Sequence, residues 1–374
     1  QTYGAVSDAV RFVTPESFGC SVLAADNRSK YQQALDFSAA NQIELRSDGN
    51  YNISGPLYLP AFDLDWRGSG KIINTYSGPE GQRKLCIYPG TYNPVYFDML
   101  TYKSCDAAIS GQVKLQLTSV PDALLYSSGD MVFIRSQEHY NGADGDIPIY
   151  GSNNRITFVD SALGVVYLEY PVISDLANPR IAKSSGTGIM DVLGEREIYC
   201  CYKARIDGIS FESVNGHVSE RGGQLGCDFK IPSIKGLSGV YTNSVSFSYW
   251  WVGKIDADLR LIEPAGCTVG SLIEIGDTVY RKTSRSVAQP IISINENMRA
   301  SVVRIRSVSA PEYDFPSQPL IHVLAAQDCQ VIIDRLFAPN AAGSIITMEN
   351  LLKNAVGETQ PQTKGNSLLV KMCV

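Results

Sequence analysis

Apolar residues in the second half of the chain recur in a short motif of two apolar residues, one free position and a third apolar residue. It reads Leu272-Ile273-Glu274-Ile275, Ile291-Ile292-Ser293-Ile294, Leu320-Ile321-His322-Val323 and Ile345-Ile346-Thr347-Met348, and more loosely Leu368-Leu369-Val370-Lys371-Met372. The copies begin roughly 20–30 residues apart, within the range of solenoid repeats. A strand this short cannot bury its own apolar face, but stacking one copy on the next can. No helical period runs between the copies. The pattern predicts an all-β chain, with a parallel β-helix as the leading architecture.

Upstream, RFVTPESFG (11–19) reads as a strand leading into a glycine turn. In NRSKYQQALDFSAANQ (27–42), Tyr31, Ala34, Leu35 and Ser38 fall on one helical face, with Asp26 or Asn27 as N-cap. A single helix before a run of rungs predicts a cap over the open apolar end of the solenoid. Residues 107–183 differ: VKLQLTSV, GDMVFIRS, RITFVDS and GVVYLEYPV are longer alternating strands, the mark of a small antiparallel insertion. The expected division is residues 1–106 for the capping helix and first rungs, 107–185 for the insertion, and 186–374 for the main β-helix.

Length fits this picture, since 374 residues add rungs to a stack rather than radius to a core. The net charge of −6 and the absence of clustered Lys and Arg argue against nucleic acid as a partner. No apolar run approaches the ~18 residues of a membrane span. The chain opens on Gln1 with no signal-peptide pattern, which reads as a processed or shortened product. The nine cysteines form no CxxC pair, and with His139, His217 and His322 they show no zinc-ligand spacing. They are expected to be reduced, buried thiols made in a reducing cytosol. No cofactor and no metal are implied.

The stretch VTPESFG, a helix carrying QQAL, GNYNISGPLYLP and then LDWRGSGKI resembles the start of the pectate-lyase-like β-helix of bacteriophage tailspikes. The strands GDMVFI and YLEYP ahead of the rung CYKARIDGISF resemble the same family. The resemblance covers residues 11–73 and 113–213. Most relatives carry Gly-Asp-Gly and an Asp pair before the helix, where this chain has CSVLAADNRSKY with Asp26 alone. The resemblance implies a right-handed, pectate-lyase-like parallel β-helix. It further implies a homotrimer on the virion tail or baseplate, held by an N-terminal anchor outside this chain. Made in the bacterial host, such a spike acts outside the cell. It binds a bacterial surface polysaccharide, capsule or O-antigen, and often cleaves it.

Glycoside hydrolysis needs two carboxyl groups. FESVNGHVSERGGQLGCDF (211–229) offers Glu212, Glu220 and Asp228, with His217 and Arg221 nearby. KIDADLRLIE (254–263) offers Asp256 and Asp258, which share one side of a strand, and Glu263. Rungs lie about 4.8 Å apart, so acids on neighbouring rungs reach glycosidase separations. Each group also reads as ordinary exposed turn or strand charge. Tyr249-Trp250-Trp251 is the densest aromatic run and suits stacking on sugar faces or packing in a core, with Tyr249 and Trp251 on one side and Trp250 on the other. Glu138, Asp144 and Asp146 in the insertion loop could bind a metal or a sugar, although Asp-Gly-Asp misses the Ca²⁺-loop pattern, and Tyr140 and Tyr150, which bracket the loop, are weaker sugar-stacking candidates. His217 with Arg221 would instead serve a polysaccharide lyase. No GxSxG elbow and no Walker-type loop is present.

Overall fold

The computed structural model describes residues 11–79, 81–88, 102–136, 139–142, 145–148, 150–184, 194–195, 200–214, 216, 223–265, 268–294, 298–324, 326–349 and 366–373. Of these, residues 81, 82, 139–142, 145–148, 243, 265 and 349 are described by their backbone alone.

The chain is a parallel β-helix. Its strands Asp228–Asn243, Tyr249–Ala265, Leu272–Tyr280, Val302–Ser309, Gln330–Phe337 and Ser367–Val370 lie side by side, each pairing in parallel with the next. Side chains alternate across a strand, so one residue in two points inward and stacks on its register partners. The first interior column runs Leu45, Trp66, Ile206, Phe229, Trp250, Ile273, Val303, Val331, Leu368. A second column runs Tyr51, Ile72, Phe211, Ile234, Ile255, Thr278, Val308, Leu336. A third joins Val240, Ile262, Ile292, Ile321 and Ile346.

This register divides the apolar repeat seen in the sequence. Three copies, those at 291, 320 and 345, are consecutive rungs of the third column. The copies at 272 and 368 belong to the first column, three rungs apart. The motif is therefore two ladders on different faces of one solenoid, which is why its spacing is uneven.

The predicted helix is Arg28–Asn41, and Tyr31, Ala34, Leu35 and Ser38 are its buried residues. Tyr31 packs edge-on against Tyr51 and tilted against Trp66, at 5.3 and 5.5 Å between ring centroids, so the helix covers the N-terminal end of the first two columns. At its start the Arg28 N–H donates to Asp26 Oδ1 at 3.0 Å. Asn27, at the cap position, turns its side chain to the Ser21 backbone instead.

Between Lys103 and Lys183 lies a six-stranded sheet whose pairings are antiparallel. The four expected strands appear in it, joined by Lys103–Ser104 and Pro179–Lys183, whose short alternation was not legible. The sheet is fixed to the solenoid by the Asn153 N–H donating to Ser246 Oγ at 2.9 Å and by Tyr170 stacked on Phe247.

Bends between faces leave backbone donors without a ladder partner, and a serine column meets them. The N–H groups of Cys227, Ser248 and Ser271 donate to the hydroxyls of Ser248, Ser271 and Ser301, each one rung on. Each hydroxyl donates in turn to a carbonyl two residues back in its own strand or bend. Ser271→Ala strands the buried Ser248 N–H, and the expected cost is about 1–3 kcal/mol, read as a lowered denaturation midpoint. The described cysteines are free, and all but Cys373 are buried.

Candidate functional site

Three of the expected carboxylates meet in one groove. Glu212 comes from Ser210–Ser213, Lys235 from Asp228–Asn243, and Asp256 and Asp258 from Tyr249–Ala265. Arg281, Thr283 and Arg285 come from the loop after Leu272–Tyr280 and close one side. The groove encloses about 280 Å³. Register builds it: Glu212 pairs with Lys235 and Lys235 with Asp256, so acid, base and acid stand on three successive rungs. Buried Ala257 lies between Asp256 and Asp258, and the strand's two-residue period sends both acids to the groove side.

Each acid has a cationic neighbour. Lys235 Nζ donates to Glu212 Oε1 at 2.8 Å, and Lys71 Nζ lies 3.6 Å from Oε2. The Lys235 hydrogen bond is the main reason the Glu212 carboxyl is held below its ordinary range. Arg281 grips Asp256 with two bonds, at 2.8 and 3.1 Å, but is 60% exposed. An ion pair as open as this is weak, so a ligand can displace Arg281 cheaply. Asp258 is 5% exposed. Its Oδ2 accepts from Thr283 Oγ1 at 3.0 Å and from Arg285, while Oδ1 is buried without a hydrogen bond. Arg285 also donates to the Val214 carbonyl at 3.1 Å, bridging the loop to the far wall.

The depressed Glu212 pKa has a consequence for stability. Its ionised form favours the folded state, so its contribution is full above the unfolded carboxylate value and is lost as pH falls through the lower folded value. Stability is expected to decline in acid below about pH 4.3, and Glu212→Gln to flatten that part of a thermal-melt series.

Other expected residues lie elsewhere. Asp228 sits on the first face, in register with Tyr249. Glu263 is buried and paired with Arg260. Tyr150 is buried in the core of the insertion. Glu220, His217, Arg221, Glu138 and Asp144 lie outside the described residues, as do the side chains of Tyr140 and Asp146. Among the described residues no group of three or more His, Cys, Asp or Glu is placed to hold a metal ion.

The aromatic run divides as strand geometry requires. Trp250 is 0% exposed, packs edge-on against Phe229, and donates Nε1–H to Gln224 Oε1 at 2.9 Å. Its expected place among the sugar-binding residues is therefore corrected: it is a core residue. Trp251 points outward at 39% exposure and borders a second groove, described below. Sequence reasoning missed Lys235, Arg281 and Arg285. The signal for Lys235 was present, since it lies one rung from both acids, but only once the register is known.

A parallel β-helix with a carboxylate-lined lateral groove is the class that fold and site define. No protein-family model and no curated protein matches the chain. Solved structures do. The chain is similar to the tailspike gp61 of Pseudomonas phage phi297, at 11% identity over 96% of this chain and 80% of that one, with a TM-score of 0.37. It is similar to the tailspike gp49 of Pseudomonas phage LKA1, at 11% identity over 96% and 78%, with a TM-score of 0.32. It is also similar to the Gp54 tailspike of Acinetobacter baumannii bacteriophage AP22, solved in complex with A. baumannii capsular saccharide, at 10% identity over 97% and 69%, with a TM-score of 0.37.

Proposed function

We propose that this chain is the glycan-degrading body of a bacteriophage tailspike. It binds a bacterial surface polysaccharide, capsule or O-antigen, and hydrolyses its glycosidic bonds in the groove of Glu212, Asp256 and Asp258. The observation that carries the reading is the convergence of these three acids, from two different strands, beside an exposed and displaceable Arg281. The sequence resemblance to tailspikes supports the homotrimer and the virion tail as its setting.

In this reading Glu212, kept ionised by Lys235, removes a proton from water as the water oxygen attacks the anomeric carbon. The bond to the leaving oxygen breaks, and that oxygen takes its proton from Asp258, whose Oδ1 makes no hydrogen bond. Asp256 holds Arg281 at the groove edge. Glu212 stands two rungs from the strand of Asp256 and Asp258, a backbone offset of roughly 9–10 Å. Direct attack by water of this kind is a single displacement, which inverts the anomeric configuration.

A second reading, binding without cleavage, draws on the cationic partner that each of the three acids already has. Product analysis separates the two. The protein is mixed with purified capsular and O-antigen polysaccharides from a panel of bacteria, and fragments are weighed. Repeat-unit oligosaccharides heavier by one water, with inverted anomeric configuration by NMR, are expected. Fragments lighter by one water would move the chemistry to a lyase. Binding with no fragments would establish the second reading.

A further inference from the structure

The second groove, of about 460 Å³, lies on a different corner of the solenoid and is lined by Trp251, Gly253, Glu274, Ile275, Gly276, Arg304, Arg306 and Asp334. Its axis is a register ladder: Trp251 pairs with Glu274 and Glu274 with Arg304. The floor at the bend is bare of side chains. A Cβ on Gly276 would lie 2.1 Å from the Gly253 carbonyl oxygen, and one on Gly253 would lie 2.7 Å from that of Pro232. Glycine is therefore required at both positions, and the stacked bends leave an open trough beside the indole.

The charges around the trough are unequally committed. Arg306 is taken by Asp277, whose Oδ1 accepts its Nε–H at 3.1 Å. Asp334 is taken by Lys371, at 2.7 Å. Glu274 accepts the Tyr249 hydroxyl at 2.8 Å. Arg304 differs: its side chain is 51% exposed, and its guanidinium faces Asp334 only at 3.9 Å, beyond hydrogen-bonding distance. Its register neighbour on the side away from Glu274 is the uncharged Ile332.

We infer that this trough is a second glycan subsite, selective for a carboxylate-bearing sugar. A sugar ring stacks its apolar face on Trp251, since indole offers a broad flat surface for such contact. Glu274 has lone pairs left to accept from sugar hydroxyls. The acid group of the same or the next residue takes the planar fork of Arg304, a geometry guanidinium matches with two parallel bonds. Repulsion by Glu274 fixes the direction, with the acid at the Arg304 end. The inference deepens the proposed function, because it names an acidic polymer as the substrate class and rests on that reading for the polymer itself.

The test is binding, not cleavage. Tryptophan fluorescence and calorimetry follow the intact protein against a panel of capsular polysaccharides containing uronic acids, each also in its carboxyl-reduced form, with neutral polymers alongside. At least one acidic polymer is expected to bind, with affinity falling ten-fold or more on carboxyl reduction, in Arg304→Gln and in Trp251→Ala. Equal binding of native and reduced polymer, binding of neutral polymers alone, or full affinity in Arg304→Gln overturns the inference. Cleavage of a polymer with no dependence on Trp251 or Arg304 overturns it while leaving hydrolysis standing. Trp251-dependent binding of an acidic polymer that is never cut leaves the subsite standing and removes hydrolysis.

Discussion

Glu212→Gln is expected to lower the rate of polysaccharide cleavage by about 10²–10⁴-fold, the usual contribution of a general base, with little change in KM. The substitution keeps shape and removes the capacity to accept a proton. Lys235 loses the negative charge of its 2.8 Å partner, but that pair is partly exposed, so the stability change at neutral pH is expected to stay within about 1 kcal/mol. Asp258→Asn should give a loss of similar size for the opposite reason, because the leaving oxygen loses its proton source. The double variant should be little worse than either single one, since two groups serving one transition state are not additive. Leaving groups sharpen the distinction. An activated aryl glycoside built on the same sugar needs no protonation, and Asp258→Asn should recover most of its rate on it. Glu212→Gln should not. Arg281→Ala should leave the rate within a few-fold of wild type, because the substrate displaces that arginine in any case. Wild-type turnover by both Glu212→Gln and Asp258→Asn would remove the groove from the chemistry.

How far such a site is legible without coordinates depends on what each residue's position requires. The capping helix was legible to the residue, because Tyr31, Ala34, Leu35 and Ser38 obey a single local period. The solenoid was legible from its apolar motif, but not the register, since nothing local states that Ile292 meets Ile321 while Ile273 meets Val303. That missing register hid the groove. Asp256 and Asp258 could be placed on one side of a strand by period two alone, whereas setting Glu212 opposite them required knowing that two rungs separate 212 from 256. Arg285 was further out of reach. It touches Val214, far away in sequence, from a loop whose course no periodicity describes. The same ignorance of facing left Trp250 and Trp251 interchangeable.

Those two tryptophans, adjacent in sequence, are expected to respond to alanine in opposite ways. Trp250→Ala should cost about 3–5 kcal/mol, the range for deleting a large buried aromatic side chain. Its indole stands mid-column between Phe229 and Ile273, and the loss leaves a cavity that neighbouring rungs cannot close without breaking their own ladders. It also strands Gln224, whose Oε1 accepts the indole N–H. In a solenoid each rung contacts only its neighbours, so a failed rung separates the stack above from the stack below. The expected readout is a lowered midpoint together with a broadened or two-step transition in urea. Trp251→Ala should shift the midpoint by less than about 1 kcal/mol, since it leaves no interior void and its side chain stands largely outside the core. Its effect should appear in glycan affinity instead. A Trp251→Ala variant that unfolds as easily as Trp250→Ala would show that the outer indole is a structural strut. Its place two rungs from Arg304 would then carry no binding role.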